Sequence, residues 1–428
     1  MLNLAQRDQA VIWHPYTQMQ TASPPLPIVK GEGALLYDEA GNTYIDAVSS
    51  WWVNTHGHCH PHIMQRINQQ LQKLDHVIFA GFTHSPAVEL AENLLQILPD
   101  NQKRIFYSDN GSTAVEVALK MAFQFWANQG FKKDKIIAFR ESYHGDTFGA
   151  MSVSSRSAFT QPFFQYLFDV LFIDVPIPGK EEDCLKQLTE YSQRPDVAAF
   201  IFEPLVLGTA GMVMYKPKVL DELLQICKEN QIITIADEVM TGFGRTGEYF
   251  ASYYLQHQPD IFCLSKGLTG GTMALGVTSC AEFIYNAFLS QDKSKTFFHG
   301  HSFTANPIAC ATAIASLEVL LFPETKENIN RIIAQHQAFS AIIKNHPFCK
   351  EVRQTGTIIA IEFETGLTSY FNNIRDVLYN LAMENQVLLR PLGNIIYVLP
   401  PYCISTEQLQ IVYAVILKMA DLLEQNKN

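Results

Sequence analysis

Residues 235–247 read IADEVMTGFGRTG, and this stretch decides how the rest of the chain is interpreted. The mostly apolar run 232–236 is typical of a buried strand, yet it leads directly into two acidic residues, Asp237 and Glu238. A glycine-rich turn with one arginine follows. Because a carboxylate at the mouth of a buried strand is costly without a cationic partner, the stretch predicts a functional site where this strand ends.

Short β-type runs alternate with helical stretches through the middle of the chain. The strand candidates are residues 104–108, 136–139, 170–175, 197–202, 232–236, 261–264 and 275–280. This alternation predicts an α/β fold with a mainly parallel, seven-stranded sheet covered by helices on both faces. Sites in such folds form at the carboxyl edge of the sheet, which is where Asp237 lies.

The chain is long enough for more than one hydrophobic core, and its pattern changes twice. Residues 1–55 contain a proline-rich arm and a predicted hairpin around the turn AGN, whereas residues 56–311 carry the alternating pattern. Residues 312–428 predict an α+β region. Its expected strands and closing helix are residues 351–363, 394–402 and 406–425. We therefore expect a large domain from residues 56–311 and a smaller domain built from the two terminal segments.

Composition narrows the classes of function. The chain is 47% hydrophobic and 17% charged, which describes a soluble globular protein. Its formal net charge of −11 disfavours nucleic acid and anionic membranes as partners. The N-terminus lacks a signal-peptide pattern, no apolar stretch is long enough to span a membrane, and the eight cysteines are scattered. We expect a cytoplasmic protein with reduced thiols.

Lys266 follows a second strand candidate, residues 261–264, in the stretch LSKGLTGG. A lysine there is more often a solvated surface residue, and an aspartate such as Asp237 more often caps a turn. In a pocket, however, a desolvated lysine amine can condense with an aldehyde. The pair suits pyridoxal phosphate, which needs a lysine for its aldehyde and an acid that keeps its pyridine nitrogen protonated.

Two further segments match the other parts of this cofactor. DNGSTAVEVALKMA, at 109–122, predicts the start of a helix, where Gly111 permits close approach of a phosphate and Ser112 adds a hydroxyl group. ESYHGDT, at 141–147, offers Tyr143 as a flat partner for the ring. Each signal is weak alone. Four features, namely Asp237, Lys266 and these two stretches, each follow a strand candidate. Together they predict a pyridoxal phosphate site.

These motifs resemble those of the class III aminotransferases, which have the fold type I architecture of pyridoxal phosphate enzymes. The likeness covers nearly the whole chain, and its strongest marks are DEVMTGFGRTG, LSKGLTGG, DNGSTAVEVALKMA, YHGDT and GHCHP. The resemblance implies that Asp237 binds the pyridine nitrogen and that Val239 lies against the ring. It implies that Lys266 holds the cofactor and moves the proton. It also implies a supporting role for Glu238 and a place for Arg245 on the substrate side.

Three other stretches narrow the resemblance to one branch of this family: IWHPYTQM at 12–19, SSWWVNTHGH at 49–58 and LLRPLGNIIYVLPPY at 388–402. That branch transaminates 8-amino-7-oxononanoate to 7,8-diaminononanoate in biotin biosynthesis. The resemblance implies a ping-pong reaction with S-adenosylmethionine or, as in some close relatives, lysine as amino donor. Tyr16 and the aromatic residues around it favour S-adenosylmethionine.

In this branch, an aromatic cluster holds the long apolar keto acid and an arginine binds its carboxylate. The matching aromatic residues are Tyr16, Trp51, Trp52, Tyr143 and Tyr397. Because adjacent strand residues face opposite ways, Trp51 is preferred over Trp52 as the pocket wall. Arg390 matches the arginine, since a guanidinium group can bind a carboxylate through two hydrogen bonds.

HGHSFTANPIAC, at 299–310, matches the family segment that reaches across a dimer interface to the neighbour's phosphate. We expect Ser302 to bind that phosphate and Gly300 to lie beside the substrate. The resemblance therefore implies a homodimer with shared active sites. A common form of this segment has Pro-Thr where this chain has His301 and Ser302, and no role is predicted for His301.

Three alternatives remain open. HGHCHPH, at 56–62, could bind zinc, but alternating residues in a glycine- and proline-containing loop converge poorly on one ion, so we expect no metal site. Another class III ω-aminotransferase, acting on ornithine, 4-aminobutyrate or a diamine, would lack IWHPYTQM and SSWW. The third alternative is a relative without cofactor that serves as a scaffold.

Overall fold

The computed structural model describes residues 3–365 and 374–425. Residues 1–2, 366–373 and 426–428, which belong to the two predicted terminal segments, lie outside this description. The first strands are β1 (Ile28–Glu32), β2 (Leu35–Asp38), β3 (Thr43–Asp46), β4 (Gln102–Ser108), β5 (Lys135–Phe139), β6 (Val170–Ile173), β7 (Val197–Phe202) and β8 (Val206–Leu207). They are followed by β9 (Val213–Met214), β10 (Ile233–Asp237), β11 (Ile261–Leu264), β12 (Gly276–Ala281), β13 (Cys349–Thr355), β14 (Ile358–Phe363), β15 (Val387–Leu388) and β16 (Ile395–Val398).

The helices vary from one turn to six turns in length. They are α1 (Leu4–Val11), α2 (Ser49–Trp52), α3 (Pro61–Leu71), α4 (Ser85–Ile97), α5 (Gly111–Asn128), α6 (Phe148–Val153), α7 (Glu181–Ser192), α8 (Pro217–Glu229), α9 (Glu282–Asn286), α10 (Pro307–Leu320), α11 (Pro323–Ile343), α12 (Ile374–Glu384) and α13 (Thr406–Gln425). Short 3₁₀ helices lie at Gln161–Tyr166, Ala251–Tyr254, Lys266–Thr269 and Lys293–Lys295.

A seven-stranded sheet forms the centre of the molecule, in the order β4-β12-β11-β10-β7-β5-β6. It contains all seven strand candidates. β12 runs antiparallel to both of its neighbours, whereas the pairs along β11-β10-β7-β5-β6 are parallel. Every residue of β7, β10 and β11 is buried, because apolar side chains on both faces of these strands are covered. The predicted α/β fold is confirmed.

The register of the central strands places the two main candidate residues side by side. β10 lies next to β11, and Asp237 at the end of β10 is opposite Cys263. Lys266 follows only three residues after Cys263. Since parallel strands end at the same edge of a sheet, the carboxylate and the amine are delivered to one edge.

The two ends of the chain are joined in a second sheet, in the order β1-β2-β3-β15. β2 and β3 form the predicted hairpin, and β15, from the C-terminal part, pairs in parallel with β3. The run 351–363 forms two strands, β13 and β14, because Gly356 turns the chain with φ +55°. On this basis we propose that residues 56–311 form the large domain and that residues 1–55 and 312–428 together form the smaller one.

The described residues contain no single helix that is long and apolar enough to cross a membrane. α10 and α11 meet the length and composition requirement only as a pair, and they are bent by 67° relative to each other.

A neutral histidine lies in the core between α11 and α13. His336 is fully buried, with Nδ1 2.7 Å from the Tyr413 hydroxyl and Nε2 3.1 Å from the Thr357 carbonyl oxygen. Because the carbonyl only accepts, Nε2 carries the proton and Nδ1 accepts from the tyrosine. Burial lowers the pKa of His336 to about 4.

We predict that His336 makes the fold sensitive to acid. The folded-state pKa lies below the ordinary value of 6.5, so the unfolded chain takes up a proton first as the pH falls. The free energy of unfolding should therefore decrease between about pH 6.5 and pH 4, by about 3 kcal/mol from this residue. Urea unfolding across this range should show a flatter pH dependence in His336→Gln. Parallel curves for variant and parent would contradict the prediction.

Candidate active site

A cavity of about 680 Å³ opens at the carboxyl edge of the central sheet. Its wall includes seven of the predicted site residues: Trp52, Gly111, Ser112, Tyr143, Asp237, Val239 and Lys266. They come from the ends of four different strands and from the turn α2. The cavity is therefore assembled from distant parts of the chain by the sheet topology.

Asp237 ends β10 with its carboxylate almost fully buried, at 5% exposure. His144 Nδ1 lies 2.7 Å from Oδ2, and the backbone N–H of Val239 donates to Oδ1 at 3.1 Å. Because a carboxylate only accepts, His144 donates from Nδ1. Its other nitrogen, Nε2, is buried without a hydrogen-bond partner in the described part of the chain. These contacts hold Asp237 in one orientation at the cavity wall.

Lys266 lies two residues after the end of β11 and has a left-handed backbone, with φ 47°, which L-residues rarely adopt. Its side chain faces the cavity, where Nζ lies 4.7 Å from the centre of the Trp52 ring. Burial lowers the pKa of Lys266 to about 8, although the negative charges of Asp237 and Glu203 oppose this shift. Near this pH, a large share of the amine is neutral and can act as a nucleophile or a base.

The N-terminus of α5 forms another side of the cavity. Asn110 caps the helix by accepting from the backbone N–H of Thr113 at 3.0 Å. Gly111 and Ser112 follow on the cavity wall, so the positive end of the helix dipole lies there. A Cβ atom on Gly111 would lie 2.8 Å from Val239 Cγ1, so a larger residue does not fit. This end of α5 suits a phosphate group.

The loop after β5 is attached to the start of α5 by a chain of hydroxyl groups. Ser112 Oγ accepts from the Thr147 backbone N–H at 3.1 Å and lies 2.8 Å from Thr147 Oγ1. The Thr147 hydroxyl donates to Glu116 Oε1 at 2.5 Å. Gly145 passes so close that a Cβ atom there would lie 2.3 Å from Ser112 Oγ. The position of Ser112 is therefore fixed by this loop as well as by its own helix.

Tyr143 and Tyr16 meet at one side of the cavity. Their hydroxyl oxygens are 3.5 Å apart, and Tyr16 donates to Asp146 Oδ2 at 2.5 Å. The Tyr16 ring packs edge-on against Trp51 and Phe159, with centroids 5.7 and 6.2 Å apart. Burial raises the pKa of Tyr143 well above its ordinary value. The N-terminal arm thus contributes Tyr16 to an aromatic cluster beside Tyr143.

The positions of Trp51 and Trp52 differ from the expectation that Trp51 forms the pocket wall. Trp52 lines the cavity and donates from Nε1 to the buried Tyr397 hydroxyl at 3.0 Å, whereas Trp51 is 41% exposed. Arg390 lies over the Trp51 ring, 4.7 Å from its centre. The preference for Trp51 assumed a strand, but these residues form an irregular turn with left-handed φ at Ser50 (59°) and Trp52 (66°). Tyr397 holds the Trp52 ring in place through this hydrogen bond.

Arg245 does not lie on the cavity wall, which corrects the expectation that it contributes to the substrate side. It is fully buried and donates to the Pro400 carbonyl oxygen at 2.6 Å and to Ser49 Oγ at 2.8 Å. It thereby anchors the turn that carries the tryptophans.

Glu238 is also buried, and it accepts from the backbone N–H and hydroxyl of Ser252, each at 2.8 Å. These contacts are consistent with the supporting role predicted for Glu238, which stays a prediction.

Gly300 and Ser302 are not among the residues that line the cavity. Both are exposed, and two large aromatic residues beside them are exposed as well, Phe298 at 74% and Phe303 at 61%. Apolar side chains exposed to this extent are typical of a surface that contacts another molecule.

The sequence did not single out two acid–base groups of the site, His144 and Glu203. Glu203 lines the cavity and accepts from the backbone N–H of Tyr143 at 2.9 Å and of Gly208 at 3.0 Å. Burial raises the pKa of Glu203 to about 7, with nearby Asp237 acting in the same direction. His144 is part of the motif YHGDT, but only the fold shows that its ring meets Asp237.

The histidines of the stretch 56–62 contact separate parts of the molecule. His58 Nε2 lies 2.9 Å from Asp46 Oδ2, whereas His62 Nε2 lies 2.5 Å from Glu318 Oε2. His58 and His62 are therefore each paired with a different carboxylate, whereas His56 Nε2 lies 3.1 Å from Ser316 Oγ.

The cavity fits pyridoxal phosphate in each of its parts. An amine with a lowered pKa, Lys266, can bond its aldehyde, and the oriented carboxylate of Asp237 suits a protonated pyridine nitrogen. The start of α5, where Gly111 and Ser112 lie on the cavity wall, suits the phosphate. Val239 and Tyr143 offer surfaces on the cavity wall for the ring.

Comparison with known proteins gives a consistent result. The family model of aminotransferase class III matches residues 16–419. A protein from Synechococcus elongatus, named adenosylmethionine-8-amino-7-oxononanoate aminotransferase, is 46% identical over 97% of this chain and 98% of its own. The crystal structure of an enzyme with the same name from Methanocaldococcus jannaschii has a TM-score of 0.93 at 35% identity and covers 98% of both chains.

A third similar protein has its cofactor in place. This amine transaminase from an uncultivated Pseudomonas species, solved in the pyridoxal phosphate-bound form, has a TM-score of 0.89 at 29% identity, with 96% of this chain and 98% of that chain covered. The family model and these similarities together show that the chain belongs to the class III aminotransferases, which depend on pyridoxal phosphate.

Proposed function

We propose that this aminotransferase converts 8-amino-7-oxononanoate to 7,8-diaminononanoate in biotin biosynthesis, with S-adenosylmethionine as amino donor. One observation carries the proposal: a lysine amine and an oriented carboxylate share a cavity that has an aromatic wall and an arginine nearby. The names of the similar proteins from Synechococcus elongatus and Methanocaldococcus jannaschii support the choice of substrate and donor.

Asp237 and His144 supply the electronic part of this mechanism. Pyridoxal phosphate, when bound, withdraws electrons from the substrate carbon that loses its proton. We infer that Asp237 keeps a proton on the pyridine nitrogen, since its carboxylate is buried and oriented. His144 donates from Nδ1 to Asp237 Oδ2 at 2.7 Å, which holds the carboxylate in this orientation.

Lys266 is the proposed carrier of the proton. Its amine reaches the cavity from the end of β11, and a pKa of about 8 allows it to accept and return a proton near neutral pH. The Trp52 ring beside Nζ stabilises the ammonium form by a cation–π contact. Burial favours the neutral amine of Lys266 and the aromatic ring favours its ammonium form, so both protonation states are accessible.

The substrate side of the proposal rests on the aromatic cluster and Arg390. A nine-carbon keto acid needs an apolar wall and a cationic anchor at its far end. Trp52 and Tyr143 provide apolar surface on the cavity wall, and Tyr16 and Trp51 extend it outward. Arg390, stacked on Trp51, is the proposed anchor for the carboxylate.

We further propose a homodimer in which each subunit completes the other's site. Gly300 and Ser302 lie on an exposed segment away from their own cavity, and Phe298 and Phe303 present apolar surface beside them. A second copy of the chain would cover these rings and bring Ser302 to the neighbour's phosphate and Gly300 to its substrate. α1, which has no buried residue, offers further uncovered surface.

The alternatives differ in donor or substrate. Lysine as donor keeps the same acceptor, whereas ornithine, 4-aminobutyrate or a diamine would define another ω-aminotransferase. The cytoplasmic location expected from the sequence stays a prediction.

We predict that Lys266→Ala lowers the rate of amino transfer by about 10²–10⁴-fold, because the proton carrier is lost. Asp237→Asn keeps the shape but removes the charge and should lower the rate by about 10²-fold or more. Single-turnover absorbance with saturating cofactor would measure both. Glu222→Gln, on the exposed side of α8, is a matched control that should keep the parent rate. Unimpaired turnover in either site variant would rule out the corresponding role.

We also predict a specific pH dependence for loading of the apo-protein. Only the neutral amine of Lys266 attacks the cofactor's aldehyde, so the rate of loading should rise about tenfold per pH unit and level off above about pH 8. Because Glu203 raises the pKa of Lys266, Glu203→Gln should move the rise to lower pH. Stopped-flow absorbance would follow the reaction. A rise that continues to the ordinary lysine value of 10.5 would contradict the effect of burial.

The proposed substrates can be tested in one cuvette. S-adenosylmethionine alone should remove the visible absorption band of the bound cofactor, and 8-amino-7-oxononanoate should restore it. A response to lysine in place of S-adenosylmethionine would change the donor but keep the acceptor. A response only to ornithine or 4-aminobutyrate would replace the proposed function by the alternative.

A further inference from the structure

The segment that carries Gly300 and Ser302 is held mainly by side chains. Its backbone-to-backbone hydrogen bonds in the described chain are short-range, such as His299 N to the Phe297 carbonyl oxygen at 3.0 Å. His299 stacks on Phe297 with centroids 5.8 Å apart, and His301 meets His299 edge-on at 4.9 Å. The two histidine rings therefore help to fix the segment, together with Thr304, whose hydroxyl group accepts from the His301 backbone N–H at 2.9 Å.

A line of polar contacts connects these histidines to α5. Lys120 Nζ lies 2.9 Å from His299 Nδ1, and His299 Nε2 lies 3.2 Å from His301 Nε2. His301 Nδ1 faces Asp109 Oδ2 at 3.8 Å, which is beyond a direct hydrogen bond but within the range of a charge interaction. Asp109 stands two residues before Gly111, at the start of the phosphate-binding end of α5.

The order of the protons along this line follows from its lysine end. A lysine ammonium only donates, so His299 Nδ1 accepts and the proton of His299 is on Nε2. His301 must then accept at Nε2 and carry its own proton on Nδ1, which faces the carboxylate of Asp109. Only one combination of ring tautomers satisfies both of the close contacts.

The surroundings of His299 favour this neutral form. The charged or titratable groups that face it are Lys120 and Glu116 of α5 and His301 of its own segment. Burial lowers the pKa of His299, and Lys120 and His301 lower it further, while Glu116 opposes them. A second proton on the ring would place a cation against the Lys120 ammonium and break the contact.

We propose that Lys120, His299, His301 and Asp109 form a histidine relay that positions Ser302 for the partner subunit's phosphate. This inference rests on the proposed dimer, in which Ser302 leaves its own subunit. The relay begins on α5 and ends beside the first turn of the same helix. The relay thus connects two elements of one subunit: the segment with Ser302, which would contact the partner subunit, and α5, which would bind the phosphate of its own subunit. His301, for which the sequence predicted no role, is a positioning residue in this account.

Affinity of the apo-protein for pyridoxal phosphate tests the relay without relying on activity. His299→Ala, His301→Ala and Lys120→Met should each raise the dissociation constant by about 3- to 10-fold, as expected for loss of one ordinary hydrogen bond. Saturating cofactor should restore the parent kcat. Lys120→Arg keeps an N–H donor and should bind as the parent does. His257→Ala, which removes a histidine paired with Asp221 at 3.1 Å elsewhere, is the matched control.

Double variants separate the relay from the proposed dimer contact. Ser302→Ala should weaken cofactor binding, and His301→Ala should add nothing in that background because it acts through Ser302. If Ser302→Ala weakens binding but the relay variants bind normally, the relay is wrong and the dimer contact stands. If neither Ser302→Ala nor the relay variants change binding, both are wrong. Additive effects would also overturn the relay.

Nuclear magnetic resonance of histidine-labelled protein gives an independent test. The relay requires the Nε2–H tautomer for His299 and the Nδ1–H tautomer for His301, and the signals can be assigned from the single variants. Lys120→Met should relax the preference of His299, because its accepting nitrogen loses its donor. The opposite tautomers, or a charged His299 at neutral pH, would overturn the proposal.

Discussion

The buried carboxylate of Asp237 is the constraint around which the rest of the site is arranged. At 5% exposure it has lost most of its hydration, so its oxygens are compensated by the His144 ring at 2.7 Å and the Val239 backbone N–H at 3.1 Å. The same low-dielectric surroundings reach Lys266 and Glu203, whose pKa values move toward neutrality, to about 8 and about 7. Burial of these groups at the strand ends thus creates an environment in which both Lys266 and Glu203 can exchange protons near neutral pH.

The part of the cavity wall formed by Trp52 depends on a strained turn. Ser49, Ser50 and Trp52 all have positive φ, at 51°, 59° and 66°, which costs free energy for residues other than glycine. Buried polar groups compensate for this cost: Asp46 accepts from the Ser50 backbone N–H and hydroxyl at 2.8 and 2.9 Å, and Arg245 donates to Ser49 Oγ at 2.8 Å. Arg245 therefore serves the aromatic wall by shaping its backbone and does not itself line the cavity.

Much of the site was predictable because it depends on local chemistry at strand ends. Asp237, Lys266, Gly111, Ser112 and Tyr143 each follow a strand that is recognisable from its apolar residues, and parallel strands must end at one edge. The relation of Trp51 to Trp52 was not predictable, since a strand pattern gives no warning of positive φ values. Nor was the His144 contact, because its partner lies 93 residues away in sequence.

The sequence by itself determined the α/β fold, the family and the strand ends from which cofactor-binding groups come, because apolar periodicity and short motifs are local properties. Only the tertiary structure decided which groups meet. It placed Glu203 beside Lys266, turned Arg245 inward to Pro400, and left Gly300 and Ser302 exposed on the surface. These outcomes depend on strand order, on burial and on contacts between residues far apart in the chain, and such long-range quantities have no signature in a local pattern.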